Sequence, residues 1–314
     1  MQVGLDEAGS SAYAGECQCV NVSMAEIDIQ SKGCNMSYQS ILVHVDQSRN
    51  AEERIRIAAE IANAENAHLI GVAMTGVSRW MYANSAPMFA DPGMVINLDF
   101  LREKAQDALD QFERIVKNLG VESFEMRLVD DEAAGGISMQ ARYSDLVVIG
   151  QTDLEASAPS VPPDFPEYVV LNCGRPVLIV PYVGHFETVG ERALIAWDAG
   201  VQAARAVSSA LPLLRRARIA QVAVFNPEQN AGKHGEQPGA DIALYLARHK
   251  VKVNVSGQVV KADTGNALLS LATDFASDLI VMGGYGHSRF REILLGGVTR
   301  TVLDTMTVPV LMSH

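Results

Sequence analysis

The sequence predicts an α/β protein made of two tandem, doubly wound, open parallel-sheet domains of Rossmann-like type, with about five strands each. Three observations carry that reading. The chain repeats itself: Tyr38–Asp46 (YQSILVHVD) matches Arg192–Asp198 (RALIAWD), Ser144–Gly150 (SDLVVIG) matches Ser277–Gly283 (SDLIVMG), and Arg175–Val180 (RPVLIV) matches Val308–Ser313 (VPVLMS). The spacing agrees as well, with 31 residues from Asp145 to Pro176 and 31 from Asp278 to Pro309. Within each copy, runs that are apolar on both faces alternate with segments of helical period, as expected for buried parallel strands covered by helices.

Residues 1–35 show neither period and are rich in Gly, Ser, Ala and acids, so a poorly ordered tail is expected there. Met36 opens the first domain (36–184), and the second covers 189–314, with the seam near Gly184–Gly190. In the second copy the expected elements are strand Ala193–Trp197, helix Val201–Arg216 (tolerating Pro212), strand Ile219–Phe225, helix Ala240–His249 and strand Val251–Val260. Helix Asn266–Phe275, strand Leu279–Met282, helix Gly297–Met306 and strand Val308–Met312 follow, the last an edge available for pairing. In the first copy, 151–168 reads as loop.

Composition narrows the partners. With 48% hydrophobic and 20% charged residues the chain is globular, and its net charge of −12 with pI near 5.0 argues against nucleic acid or an anionic membrane surface. No run approaches the roughly 20 apolar residues of a membrane helix. The N-terminus has no basic start followed by an apolar core, so no secretory signal is read and a cytoplasmic location is expected. Cys17, Cys19, Cys34 and Cys173 lack the paired spacing of a zinc site or disulfide framework, and no metal site is expected.

An anion must therefore be held by local devices, and one stands out. Gly283-Gly284-Tyr285-Gly286, then nine residues, then Gly296-Gly297-Val298-Thr299 join a buried strand to a helix. Gly283 and Gly286 let phosphate oxygens approach the backbone, and the helix near Gly297 offers free N–H groups and the positive end of its dipole. The Thr299 hydroxyl and Arg289, Arg291 and Arg300 could add to this. It is not a Walker loop, since no Lys-Ser/Thr pair follows the glycines. In the first copy Gly150 is kept, but Asp153, Pro163 and Asp164 stand at the positions of Gly286, Gly296 and Gly297. Two carboxylates and a missing N–H are hostile to polyphosphate, so one nucleotide site per chain is expected. Asp198 and Asp46 close the first strand of each copy, where a carboxylate contacts ligand or caps the next helix. Ligand contact is expected for Asp198 and capping for Asp46.

The glycine pattern in GGYGHSRFREILLGGVT, followed by TVPVLM, resembles the ATP-binding signature of the universal stress protein family. The strand-Asp opening and SDLIVMG agree with it over 38–314. The resemblance implies that Asp198 contacts ribose or adenine, Ala223 and Val224 contact adenine, and Met282 and Gly283 line the base and ribose side. Gly286, Gly296, Gly297 and Val298 would hold the phosphates. The sequence departs at Gly297, where the family usually carries Ser or Thr, so a hydroxyl is lost while the backbone N–H stays. The implied role is an ATP-binding regulator of a stress response, with AMP or ADP as alternatives, Mg²⁺ as an optional companion, and a homodimer or another protein as partner. No catalytic residue is expected. His287 and Asp263 are the acid–base candidates, but each reads as simply as a loop or capping residue. Slow ATP hydrolysis, a related nucleotide-dependent enzyme and a ligand-free assembly module remain open, although the S-G-G-x-D-S and H-x-G-H motifs of related enzymes are absent.

Overall fold

The computed structural model describes residues 37–77, 98–153, 155, 161–230, 237–261, 263–285 and 297–314. The expected tail 1–35, Gly286, Gly296, His287, Arg289 and Arg291 lie outside the described residues.

Met36–His314 form one compact unit. The first half runs β1 (Ser40–Val45), α1 (Ala51–Glu65), β2 (His68–Met74), α2 (Leu98–Asn118), β3 (Phe124–Val129), α3 (Ala133–Gln140), β4 (Leu146–Gly150), α4 (Phe165–Asn172) and β5 (Val177–Val180). The second half repeats the plan with β6 (Arg192–Ala196), α5 (Val201–Arg216), β7 (Ile219–Phe225), α6 (Ala240–Arg248) and β8 (Val253–Gln258). It ends with α7 (Thr264–Asp274), β9 (Leu279–Gly283), α8 (Gly297–Thr305) and β10 (Val310–Ser313).

Each half is a parallel sheet, and the two are joined edge to edge into one ten-stranded sheet of order β3-β2-β1-β4-β5-β10-β9-β6-β7-β8. The joint is the only antiparallel pairing among the described strands, with Val310 opposite Ile179, Leu311 opposite Leu178 and Met312 opposite Val177. The last strand, expected as an edge available for pairing, is paired with β9 of its own half on one side and with β5 of the other half on the other. The outer strands are β3 and β8.

Alternate residues of each strand feed opposite cores, as the period of two dictates. Ile41, Val43, Ile195 and Val222 pack with α1, α2, α5 and α6 on one face. Leu42, Leu194, Ile280 and Met282 pack with α3, α4, α7 and α8 on the other. On the first face Phe112 lies against bare backbone at Gly71, where a Cβ would come within 2.7 Å of the ring. Across the joint, Tyr38 Oη donates to Ser209 O at 2.8 Å, Arg216 pairs with Glu65, and Gln151 Nε2 donates to Leu303 O at 2.8 Å.

One helix was hidden in the sequence. Residues 165–168, expected as loop, are the first turn of α4 with Pro166 at its start. Pro162, Pro163 and Pro166 read together as breakers, yet a proline in the first turn gives up an N–H that has no helical partner anyway.

The repeated Ser-Asp motif has a structural task. Asp278 accepts from Thr188 Oγ1 (2.6 Å) and from the amides of Gly190 (3.1 Å), Glu191 (3.0 Å) and Arg192 (2.8 Å). Asp145 likewise accepts from the amides of Gln39 (2.8 Å) and Ser40 (3.0 Å). Each carboxylate thus clamps the entrance of the first strand of its half.

Candidate functional site

In the second half the register aligns the carboxyl ends of β6, β7 and β9, where an open α/β sheet receives ligands. Trp197 N donates to Ala223 O at 2.9 Å as the chain leaves β6. It then turns through Ala199, a non-glycine residue at φ +57°, a backbone state that costs on the order of 1–2 kcal/mol. Asp198 Oδ1 holds that turn by accepting from Gly200 N at 2.8 Å. The helix cap is Gly200, not Asp198, and the exposed Asp198 carboxylate keeps Oδ2 without a hydrogen bond among the described residues.

The other expected contacts have varied settings. Ala223 and Val224 are buried in β7 with their side chains in opposite cores, and their backbone lies within the sheet, Ala223 O accepting from Trp197 N. The Met282 side chain is in the core. Gly283 has a packing reason to be glycine: a Cβ there would stand 2.6 Å from Ala203 N and 2.8 Å from Gln202 Cβ, so the first turn of α5 lies directly on it. Gly284 donates its N–H to Ser313 O at 2.9 Å, and a Cβ on it would meet Val170 of the first half at 2.9 Å. Tyr285 follows at φ +58°, its ring buried and its hydroxyl without a partner among the described residues. Burial, then the charges of Glu167 and Asp304, pushes that phenol above its usual range.

Helix α8 begins at Gly297, which is exposed and would have no heavy atom within 4 Å of a Cβ. Val298 packs partly into the core, and buried Thr299 turns its Oγ1 to accept from Tyr285 N at 3.4 Å. That contact sets the first turn of α8 against the end of β9. Arg300 faces Asp304 at 3.6 Å. Asp263 is the N-cap of α7, accepting from Gly265 N at 3.2 Å and Asn266 N at 3.4 Å, which accounts for it without acid–base work.

The first-half twin of this cleft is filled from within. Asp46 does not cap α1, as expected of it; Asn50 stands at that position. Instead Asp46 Oδ1 accepts from Ser48 N at 3.0 Å and from Arg54 Nη2 at 2.7 Å, while Arg54 Nε donates to His44 O at 2.8 Å. Burial alone would raise the Asp46 carboxyl, but the Arg54 guanidinium, helped by His44 and the Ser48 hydroxyl, outweighs it and holds the group well below the usual carboxylate range. Arg54 is 3% exposed and its Nη1 occupies the space beside Gly150, where a Cβ would come within 2.5 Å. Asp153, in the position of Gly286, is ion-paired with Arg49. Sequence reasoning missed Arg54. Its signal was available, since it falls on the apolar face of AEERIRIAAEIANAE.

The profile of the universal stress protein family matches the chain twice, over residues 37–181 and 191–314. Universal stress protein Slr1230 of Synechocystis is 26% identical over 147 residues, 46% of this chain and 49% of that protein, so the match spans about half the length of this relative. Among solved structures, a universal stress protein of Archaeoglobus fulgidus superposes with a TM-score of 0.62 at 17% identity, covering 88% of this chain and 97% of its own. A universal stress protein from Pseudomonas aeruginosa, itself described as putative in its structure, gives 0.55 at 16% identity, covering 87% and 92%. These structural likenesses concern the fold. Two successive family matches, falling on two successive copies of one strand order, lead to a single statement: the chain belongs to the universal stress protein family.

Proposed function

We propose that this protein is an adenine-nucleotide-binding regulator with one nucleotide site per chain, in residues 189–314, and with no dedicated catalytic chemistry. ATP is the first candidate, AMP or ADP the alternatives, and a stress response the setting that the family suggests.

The observation that carries the reading is the contrast between the two clefts. In the first, Arg54 neutralises Asp46 and fills the space at Gly150. In the second, the first turn of α5 rests on Gly283 with no cation there, and the Asp198 carboxylate stands exposed, without an ion pair among the described residues. Asp198 Oδ2 would accept a hydrogen bond from a ribose hydroxyl or an adenine amine. The amides in the first turn of α8, beginning at the uncrowded Gly297, would face phosphate oxygens. Gly286 and Gly296 complete the expected phosphate contacts. Gly297 brings no hydroxyl, so Mg²⁺ would rely on phosphates and water. Pairing with a second copy or another protein belongs to the same proposal.

The test is to purify the protein, denature it by heat and identify any released nucleotide by mass, then repeat with Gly286→Asp, which copies the first half. Adenine nucleotide on the wild type and none on the variant supports the site. Equal loading of both overturns it. Rapid turnover of ATP would overturn the non-catalytic part instead.

A further inference from the structure

The first-half cleft, closed to polyphosphate, still carries a pocket partly open to solvent, with an inner volume of about 60 Å³, lined by His44, Asp46, Arg54, Val161, Phe165 and Val180 among others. That is several times what one water requires. His44 is 2% exposed, and its Nδ1 has no hydrogen-bond partner. Asp46 Oδ2 is 3.7 Å from it, too far for a bond. A buried polar atom in a native protein is normally satisfied, so this one points to a missing partner. The ring rests tilted against Phe165, centroids 5.0 Å apart. Burial, with Arg54 acting against Asp46, lowers the imidazole pKa to about 4, which leaves the ring neutral at pH 7 with one nitrogen as acceptor.

Arg54 supplies the complementary donor. Its Nε and Nη2 are engaged by His44 O and Asp46 Oδ1, whereas Nη1 makes no hydrogen bond among the described residues. The charges are balanced, since Asp46 pairs with Arg54 and Asp153 with Arg49. A charged ligand would therefore lose its hydration with no net countercharge to meet it. An uncharged one would not.

We propose that this cavity is a second ligand site, distinct from the nucleotide site, for a small uncharged molecule bearing a carboxamide. Its carbonyl oxygen accepts from Arg54 Nη1, its N–H donates to the His44 ring, and its apolar body lies against Val161, Phe165 and Val180.

Three isosteres of different charge test it. The full-length protein is titrated at pH 7 with benzamide, benzoate and benzylammonium, and binding is followed by ligand-observed NMR. Benzamide is expected to bind at least about tenfold more tightly than either charged isostere, and His44→Phe to weaken it about tenfold while ATP binding is unchanged. Val161→Trp, which fills the cavity and leaves His44 and Arg54 in place, should abolish benzamide binding and decides the matter if His44→Phe does not fold. Absence of benzamide binding, equal affinity for the three compounds, displacement of benzamide by ATP, or wild-type affinity in the variants would overturn the proposal.

Discussion

At the scale of single residues, the buried Arg54 is one of the features that set the first-half cleft apart. Arg54 is buried against Asp46, so Arg54→Ala leaves a largely buried carboxylate uncompensated and should cost about 2–4 kcal/mol in urea unfolding. His44 adds a pH dependence whose sign is fixed. Its folded pKa of about 4 lies below the unfolded value near 6.5, so the unfolded chain takes up the proton first. Its contribution is intact above pH 6.5 and falls by about 1.4 kcal/mol per pH unit toward pH 4; subtracting the profile of His44→Phe should isolate that slope. Glycines in the second cleft divide in a similar way. Gly283→Ala drives a Cβ into Ala203 N and should destabilise by about 1–3 kcal/mol, whereas Gly297→Ser enters open space and should stay within about 0.5 kcal/mol of wild type. If the nucleotide site is as proposed, Gly297→Ser also restores a donor and tightens ATP binding, which calorimetry would read. The glycines were legible in the sequence, but their separate reasons were not, because helix α5 comes to rest on Gly283 only in three dimensions.

At the scale of elements, the sequence spoke most clearly where periodicity was long. Helix Val201–Arg216 and strand Ile219–Phe225 appear with the expected bounds, since sixteen and seven residues of unbroken pattern leave little freedom. Helix α4 was missed because Pro166 sits in its first turn and Pro162 and Pro163 just before it, where local rules and helix formation agree only once the start is known. The Ser-Asp motif was visible as a repeat, while its role as a strand clamp needed the partners from elsewhere in the chain. That role predicts an order of severity. Asp278→Ala frees three amides and a hydroxyl, and Asp145→Ala only two amides, so chemical denaturation should show the larger loss, about 2 kcal/mol or more, for Asp278→Ala.

At the scale of the whole molecule, the duplication became one sheet. Its joint pairs β5 with β10 antiparallel, which a sequence of two similar halves does not reveal, because either outer strand of each half could have served. Burying both inside one chain leaves β3 and β8 as edges, and these carry polar residues such as Glu125, Arg127, Asn254 and Gln258 that discourage further pairing. Residues 189–314 produced alone would expose β10, and sedimentation should find them self-associated. The proposed function assigns one nucleotide site to each chain, in the second half, and the number of sites is directly countable. Calorimetric titration of nucleotide-free protein with ATP should yield one site per chain, lost in Gly286→Asp and kept in Asp153→Ala. Two equivalent sites per chain, or unchanged binding in Gly286→Asp, would contradict the account.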